Sequence, residues 1–405
     1  MKYIVVLCDG MSDRPLSELK GKTPLEVANK PNMDHIASHG NSGILQTIYK
    51  DLPKDSGVAN LTLLGYDPHK YYPGRGPLEA MNMNVNLGVN DVALRCNTIT
   101  ERDGILVDYS AGKITNEESR EIIEYVNNEL GDKYVSFHPG VAYRHVMVLR
   151  SKYSPDVDCK PAHDITGRSI EENLVRPLNS KASETAELLN RVIFKSKEIL
   201  EDHPINVKRA KQGKSKANML WPWGPGRKPE MPSFRSMFGV TGSIISAVDI
   251  IKGIGRIIGL EVVNVPGATG YLDTNYEGKA EAALKSLKER DFVYIHLEST
   301  DESGHEGNIE HKVKAIEDID KRVIGRILDN IEGDYTIGIS PDHATPVSVR
   351  THTDDPVPFT VYSTKGEKKD KVKTYCEKEA KRGYYGLRDG MEFMRIVTNK
   401  RKTAD

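Results

Sequence analysis

At 405 residues, the chain is too long for one ordinary hydrophobic core and implies two domains or three. Its 38% hydrophobic and 28% charged content fits a soluble globular protein, and a formal net charge of −1 leaves no whole-chain field to attract nucleic acid or a membrane surface. No apolar run reaches the roughly eighteen residues of a membrane-spanning helix, and the four cysteines, Cys8, Cys96, Cys159 and Cys376, fit no CxxC spacing, so reduced thiols and a cytoplasmic location are expected.

The first element is a buried strand. Residues 3–8 read YIVVLC, apolar and β-branched, and Asp9-Gly10 ends the run. The run is too short for a signal-peptide core, and no small-residue cleavage site follows. A helix is expected just after Gly57. From about residue 82 to 219 the pattern changes. Short strands at 92–98 and 145–149 accompany helices at 116–130 and 183–200, and strand ends carry arginines rather than acids. Pro/Gly-rich stretches at 72–77 and 221–226 flank this region. Residues 81–219 are therefore expected to form a domain inserted between 1–80 and 220–405. Beyond it come a helix over 240–258 stopped by Gly259, a strand at 261–265, a helix at 278–290, a strand at 292–297, a helix at 309–331, and strands at 335–339 and 358–362. Strands alternating with helices predict an α/β fold built on a mainly parallel sheet. The polar tail at 399–405 is expected to fray.

In open α/β sheets, ligands bind outside the carboxyl ends of the strands. Here the first strand ends in Asp9, the 292–297 strand leads to Asp301 and His305, the 335–339 strand leads to Asp342-His343, and His352 precedes the last strand. Carboxylates mixed with imidazoles suit Mn²⁺, Zn²⁺, Co²⁺ or Fe²⁺ better than Ca²⁺, which prefers all-oxygen sites. Six such groups exceed the need of one ion, and a pair of ions can clamp both oxygens of a phosphoryl transfer. Ser56, in Asp55-Ser56-Gly57-Val58-Ala59-Asn60, supports two readings. It is either the N-cap of the helix that follows or a nucleophile whose hydroxyl a metal activates.

These residues sit in segments that resemble the alkaline phosphatase superfamily, and within it the archaeal type of cofactor-independent phosphoglycerate mutase. The resemblance spans nearly the whole chain, more strongly in the sheet domain than in the insertion. It is carried by Pro31-Asn32-Met33-Asp34-His35-Ile36-Ala37, by the Ser56 segment with Leu64-Gly65-Tyr66-Asp67-Pro68, and by Gly74-Arg75-Gly76-Pro77-Leu78-Glu79-Ala80. Val265-Pro266-Gly267-Ala268-Thr269-Gly270 and Asp342-His343-Ala344-Thr345-Pro346 continue it. The resemblance implies an alkaline-phosphatase-like sheet sandwiched by helices, with a smaller inserted α/β domain acting as a lid. It implies two divalent metal ions, Mn²⁺ first, with Zn²⁺, Co²⁺ or Mg²⁺ as alternatives, and no 2,3-bisphosphoglycerate. Asp301, His305 and His352 would hold one ion; Asp9, Ser56, Asp342 and His343 would hold the other.

The implied activity is interconversion of 3-phosphoglycerate and 2-phosphoglycerate through a phosphoserine at Ser56. The substrate is a small phosphorylated anion, for which arginine forks are the expected ligands. Arg75, Arg95, Arg144, Arg168 and Arg227 are the candidates, with His163-Asp164 as an acid–base pair. Lys252 is either a family lysine near the phosphate or a solvated helix residue. One departure stands out. Where the family shows a segment like RGAG, this chain has Met219-Leu220-Trp221-Pro222-Trp223-Gly224-Pro225-Gly226-Arg227, which marks a subgroup proposed to include homoserine-kinase-like members. A kinase of that kind, or a metal-dependent phosphatase, is the alternative on the same site, although no GxxxxGK[ST] is present. A binding protein that keeps the fold without catalysis is a further alternative, against which the intact ligand set argues.

Overall fold

The computed structural model describes residues 1–366 and 369–400; of the tail at 399–405, expected to fray, residues 401–405 lie outside them. The chain divides into two compact units, Met1–Tyr72 with Met231–Asp405, and Pro73–Glu230. In chain order the strands are β1 (Lys2–Cys8), β2 (Asn41–Gln46), β3 (Val92–Arg102), β4 (Ile105–Asp108), β5 (Val135–Val141), β6 (Arg144–Leu149), the two-residue β7 (Val157–Asp158) and β8 (Arg176–Pro177), β9 (Met219–Arg227), β10 (Gly242–Ile245), β11 (Glu261–Val263), β12 (Phe292–Leu297), β13 (Tyr335–Ser340), β14 (Val357–Ser363) and β15 (Gly386–Asp389).

The first unit is built on an eight-stranded sheet, ordered β11-β10-β12-β1-β13-β14-β2-β15. Only β14 runs against its neighbours; every other pairing is parallel. The central strands are apolar throughout because helices cover both faces, and Ile4 to Cys8 are fully buried. Register decides where the chemistry goes. Cys8 lies opposite Leu297 and Leu7 opposite Ser340, so Asp9, the segment after β12 and Asp342-His343 all leave the sheet at one edge.

Two expected helices in this unit are corrected. Residues 240–258 form strand β10 and then a helix, Asp249–Ile257. The short apolar run at 244–245 fits either period, and its pairing with β11 and β12 settles it as strand. Residues 309–331 form a helix, Ile309–Asp318, a π-helical stretch, Ile319–Gly325, and a second helix, Arg326–Asn330. In the π stretch, Asp320 accepts from the backbone N–H of Asn32 (3.2 Å) and Met33 (2.7 Å), capping the helix Pro31–His39, which has no cap of its own.

The second unit is an antiparallel sheet, β4-β3-β6-β5, with β9 also paired to β3. Helices Asn116–Leu130 and Ser183–Leu200 pack on it. The first begins with a capping box between Thr115 and Glu118 and buries Ile122, Ile123 and Val126; the second adds Leu189 and Ile193 to the same core. The unit begins before residue 81 and ends after 219. Strand β9 pairs with β3 from Met219 to Arg227, and a Cβ on Gly76 of the helix Arg75–Asn82 would lie 2.3 Å from the carbonyl oxygen of Ala93 on β3. Among the described residues, no helix is long and apolar enough to cross a membrane.

Candidate active site

The helix Ser56–Leu63 is capped by Asp55, whose Oδ1 accepts from the backbone N–H of Gly57 at 2.6 Å. Ser56 is therefore not the cap. Its hydroxyl lies in the first turn, 3.3 Å from Nε2 of His343. One turn on, the amide of Asn60 donates to Oδ2 of Asp342 (2.9 Å) and to the carbonyl of Ser56 (2.8 Å), and accepts from the hydroxyl of Tyr294 (2.7 Å). Oδ1 of Asp342 accepts from the backbone N–H of Gly10 (3.1 Å) and of His343 (2.9 Å). The serine and the aspartate are thus tied to one frame.

The six acids and histidines expected at strand ends come together. Donor atoms of Asp9, Asp342 and His343 lie within 4.8 Å of one another, as do those of Asp301, His343 and His352. His343 belongs to both groups. His305 joins the second through Nε2, 3.2 Å from Asp301 Oδ2 and 3.1 Å from His352 Nε2.

Hydrogen bonds fix the histidine protons. Nδ1 of His305 faces the carbonyl of Arg350 (3.1 Å), and Nδ1 of His352 faces the carbonyl of Lys54 (2.9 Å). A carbonyl can only accept, so both Nδ1 atoms carry hydrogen, and in the neutral rings both Nε2 atoms are bare. Two lone pairs and the Asp301 carboxylate then face one point. That arrangement requires a cation, either a proton or a metal. Without a metal, a proton fills the gap, and His352 is pushed up to about 9: burial opposes its charge, but the bonds to Asp301 outweigh it.

The two groups differ in charge. Burial raises Asp301, but His305 and His352 overcome it and hold that carboxyl well below its usual range. Asp9 goes the other way, pushed well above by burial and then by Asp342 and Asp301. Oδ1 of Asp9 is buried without a hydrogen-bond partner among the described residues and faces Nε2 of His343 at 3.3 Å. A buried carboxylate left this way is costly unless a cation meets it.

Several neighbours were not singled out from sequence. His296 on β12 is fully buried, with Nε2 3.0 Å from Asp9 Oδ2 and Nδ1 3.3 Å from Ser246. Lys279 donates to the carbonyl of His296 (3.3 Å) and is lowered to about 8, mainly by burial. Glu298 is raised to about 8 by burial and by Asp301. Inside FVYIHL a histidine looks like any core residue, and no local signal marks Lys279. Lys252 is half-buried on the helix Asp249–Ile257 and lies near enough to Lys279 to depress it.

In the second unit, four of the expected substrate residues gather around Trp223. The guanidinium of Arg95 lies 5.2 Å from the Trp223 ring, that of Arg75 5.8 Å, and the His163 ring meets it edge-on at 5.6 Å. Tyr143 sits 5.9 Å from Arg95 and 5.8 Å from Arg144, linking the fourth. Buried Glu79 accepts from both Arg75 (3.0 Å) and Arg95 (2.6 Å). Asp164 stands 3.6 Å from His163. Arg168 and Arg227 are placed elsewhere. Arg168 is exposed on a turn, and Arg227 donates to the carbonyl of Tyr153 (3.0 Å) at the far end of the β3–β9 ladder.

A family model described as 2,3-bisphosphoglycerate-independent phosphoglycerate mutase matches residues 37–206. The 2,3-bisphosphoglycerate-independent phosphoglycerate mutase of Methanosarcina barkeri is 46% identical over 400 residues, covering 98% of this chain and 99% of that one. The probable mutase of the same description from Geobacter sulfurreducens is 46% identical over 406 residues, covering 99% and 100%. Among solved structures, the cofactor-independent phosphoglycerate mutase from Thermoplasma acidophilum matches with a TM-score of 0.70 at 31% identity, covering 98% of this chain and 99% of that one. On identity of that level along its whole length, the chain belongs to the family of 2,3-bisphosphoglycerate-independent phosphoglycerate mutases and is an isomerase.

Proposed function

We propose that this enzyme interconverts 3-phosphoglycerate and 2-phosphoglycerate through a phosphoserine on Ser56, at a site that holds two divalent cations. The observation that carries the reading is the placement of Ser56. A hydroxyl relieved of capping by Asp55 lies 3.3 Å from Nε2 of His343, a histidine shared by two donor groups. Asp9, Asp342 and His343, with Ser56, would hold one cation; Asp301, His305 and His352 would hold the other. The mixed oxygen and nitrogen donors suit Mn²⁺, with Zn²⁺, Co²⁺ or Mg²⁺ as alternatives. Bound there, the cations would lower the pKa of the serine hydroxyl and offset charge on the phosphoryl oxygens.

The chain's own groups do the rest. Ser56 Oγ gives up its proton and bonds to phosphorus, the bond to the glycerate oxygen breaks, and that oxygen takes up a proton. The other hydroxyl of the glycerate then reverses the exchange. Asn60 keeps Asp342 and the Ser56 turn in one frame throughout. Arg75, Arg95 and Arg144 are the cationic ligands for the glycerate carboxylate, and His163 with Asp164 is the pair suited to move its hydroxyl protons. The departure from the family pattern at 219–227 lies on β9, where Trp223 packs against Arg75 and Arg95.

The test is to incubate metal-loaded protein with 3-phosphoglycerate, without bisphosphoglycerate or nucleotide, and follow 2-phosphoglycerate and free phosphate together. Isomerisation without net phosphate release supports the reading. Free phosphate as the main product means a phosphatase, and activity only with ATP and an amino-acid alcohol means the homoserine-kinase-like alternative.

A further inference from the structure

We infer that Thr345 is a positioning residue that ties the two donor groups together, its single hydroxyl setting the tautomer of His343 and the orientation of Asp301 at once. The inference rests on the two-cation reading above.

Thr345 Oγ1 donates to Oδ1 of Asp301 and lies 3.2 Å from Nδ1 of His343. A hydroxyl has one proton to give. The Asp301 carboxylate can only accept, so that proton goes to Asp301. Nδ1 of His343 must then be the donor, with its hydrogen directed at Oγ1. The neutral ring consequently presents a bare Nε2 to Ser56 Oγ (3.3 Å), Asp9 Oδ1 (3.3 Å) and Asp342 Oδ2 (3.6 Å). One hydroxyl thus prepares a ligand of each group.

The hub is itself held. Thr345 is fully buried, and its carbonyl accepts from Nζ of Lys312 at 2.7 Å. Lys312 is also fully buried and is paired with Asp13 at 2.8 Å, on the loop that follows Asp9. Two glycines press on it. A Cβ at Gly10 would lie 2.6 Å from Thr345 Oγ1, and one at Gly304 would lie 2.3 Å from the Thr345 carbonyl oxygen. The backbone that carries Asp9 and the helix that carries Asp301 and His305 therefore close directly on Thr345. The helix Ile309–Asp318 adds the buried ammonium. A residue in that cage has no freedom to re-aim its hydroxyl.

The experiment titrates chelator-stripped protein with Mn²⁺ and reads free Mn²⁺ by electron paramagnetic resonance. Wild type should take up two ions. Thr345→Val keeps the shape and removes the hydroxyl; both uptake steps should weaken by about 10–100-fold, the range for loss of a group that orients a metal ligand. Thr345→Ser should restore both. Asn60→Ala, which touches Asp342 but not Asp301, should weaken one step only. An unchanged isotherm in Thr345→Val, a change in one step alone, or no rescue by serine overturns the hub. Wild-type protein that binds no Mn²⁺ overturns the two-cation reading and the hub with it. Should Thr345→Val fail to fold, nitrogen-15 spectra of the wild-type histidines still decide: His343, assigned by His343→Gln, should carry its proton on Nδ1, and a proton on Nε2 refutes the inference.

Discussion

Replacing Lys312 with methionine removes a buried ammonium while keeping most of its volume. Neither Lys312 nor Asp13 has side-chain exposure, and Nζ gives bonds to Asp13 Oδ2 (2.8 Å), the Thr345 carbonyl (2.7 Å) and the Ser12 carbonyl (3.4 Å). The variant strands the Asp13 carboxylate, which keeps, among the described residues, only the backbone donors of Arg14 (2.8 Å) and Val347 (3.1 Å). Breaking one side of a buried ion pair costs about 3–5 kcal/mol, and the two surviving donors put Lys312→Met toward the lower end. The assay is urea unfolding followed by thiol labelling of Cys8, read on its own peptide by mass spectrometry. Cys8 is fully buried on the central strand β1, and burial pushes its thiol up, so labelling requires opening of the first unit. The double variant Lys312→Met with Asp13→Asn leaves no unpaired buried charge and retains an acceptor for Val347. It should recover at least half of the loss. A Lys312→Met protein within about 1 kcal/mol of wild type, as for a surface pair, or a double variant less stable than the single one, would refute the reasoning.

Ser56→Ala should abolish isomerisation while leaving Mn²⁺ uptake largely intact in the same titration, since one hydroxyl is lost and three donors of that group stay; full activity would mean that another group attacks. Chelation should remove activity, and Mn²⁺ or Co²⁺ should restore it better than Ca²⁺; turnover by protein shown by elemental analysis to be metal-free would exclude the metal site. His145 is fully buried and pushed from 6.5 down to about 3 by burial, then by Arg95 and Arg144, and its Nδ1 accepts from Gly140 N–H at 3.1 Å. Its folded value lies below its unfolded one, so the unfolded state gains the proton first and stability falls as pH drops below about 6.5. At about 1.4 kcal/mol per pH unit, acidification from 6.5 to 4 should cost the second unit about 3 kcal/mol through this group, and His145→Gln should flatten that slope in acid denaturation curves.

Much of the candidate site's layout was legible because its acids stand where strands end. Asp9, Asp301 and Asp342 follow apolar runs that can only be buried strands, and parallel register brings such ends to one edge. The helix Asn116–Leu130 was equally plain, its ends falling where they were expected. What stayed hidden depends on partners remote in sequence. His296 and Lys279 matter only because β12 lies beside β1, and Thr345 only because a turn brings it against Asp301. The capping of the serine helix turned on which of two adjacent residues, Asp55 or Ser56, aims its oxygen at Gly57, and spacing is silent on that. The ends of the second unit were misplaced for a similar reason. The Pro/Gly stretches marked the crossings, but the pairing of β9 with β3 determines on which side of them the chain belongs.

Both tryptophans of the chain lie on β9, in the second unit. The Trp221 indole donates to the Lys160 carbonyl at 2.8 Å and the Trp223 indole to Oδ1 of Asn97 at 3.1 Å, but only Trp223 has the guanidinium groups of Arg95 and Arg75 near its ring, at 5.2 and 5.8 Å, with His163 at its edge. Indole emission, excited selectively, is therefore a native optical gauge of the arginine cluster. An anion that draws Arg75 or Arg95 away changes the electric field on the Trp223 ring and shifts its colour, and the first unit contains no tryptophan of its own. Glycerate or another small carboxylate can accordingly be titrated against intrinsic fluorescence in unlabelled protein with no turnover at all.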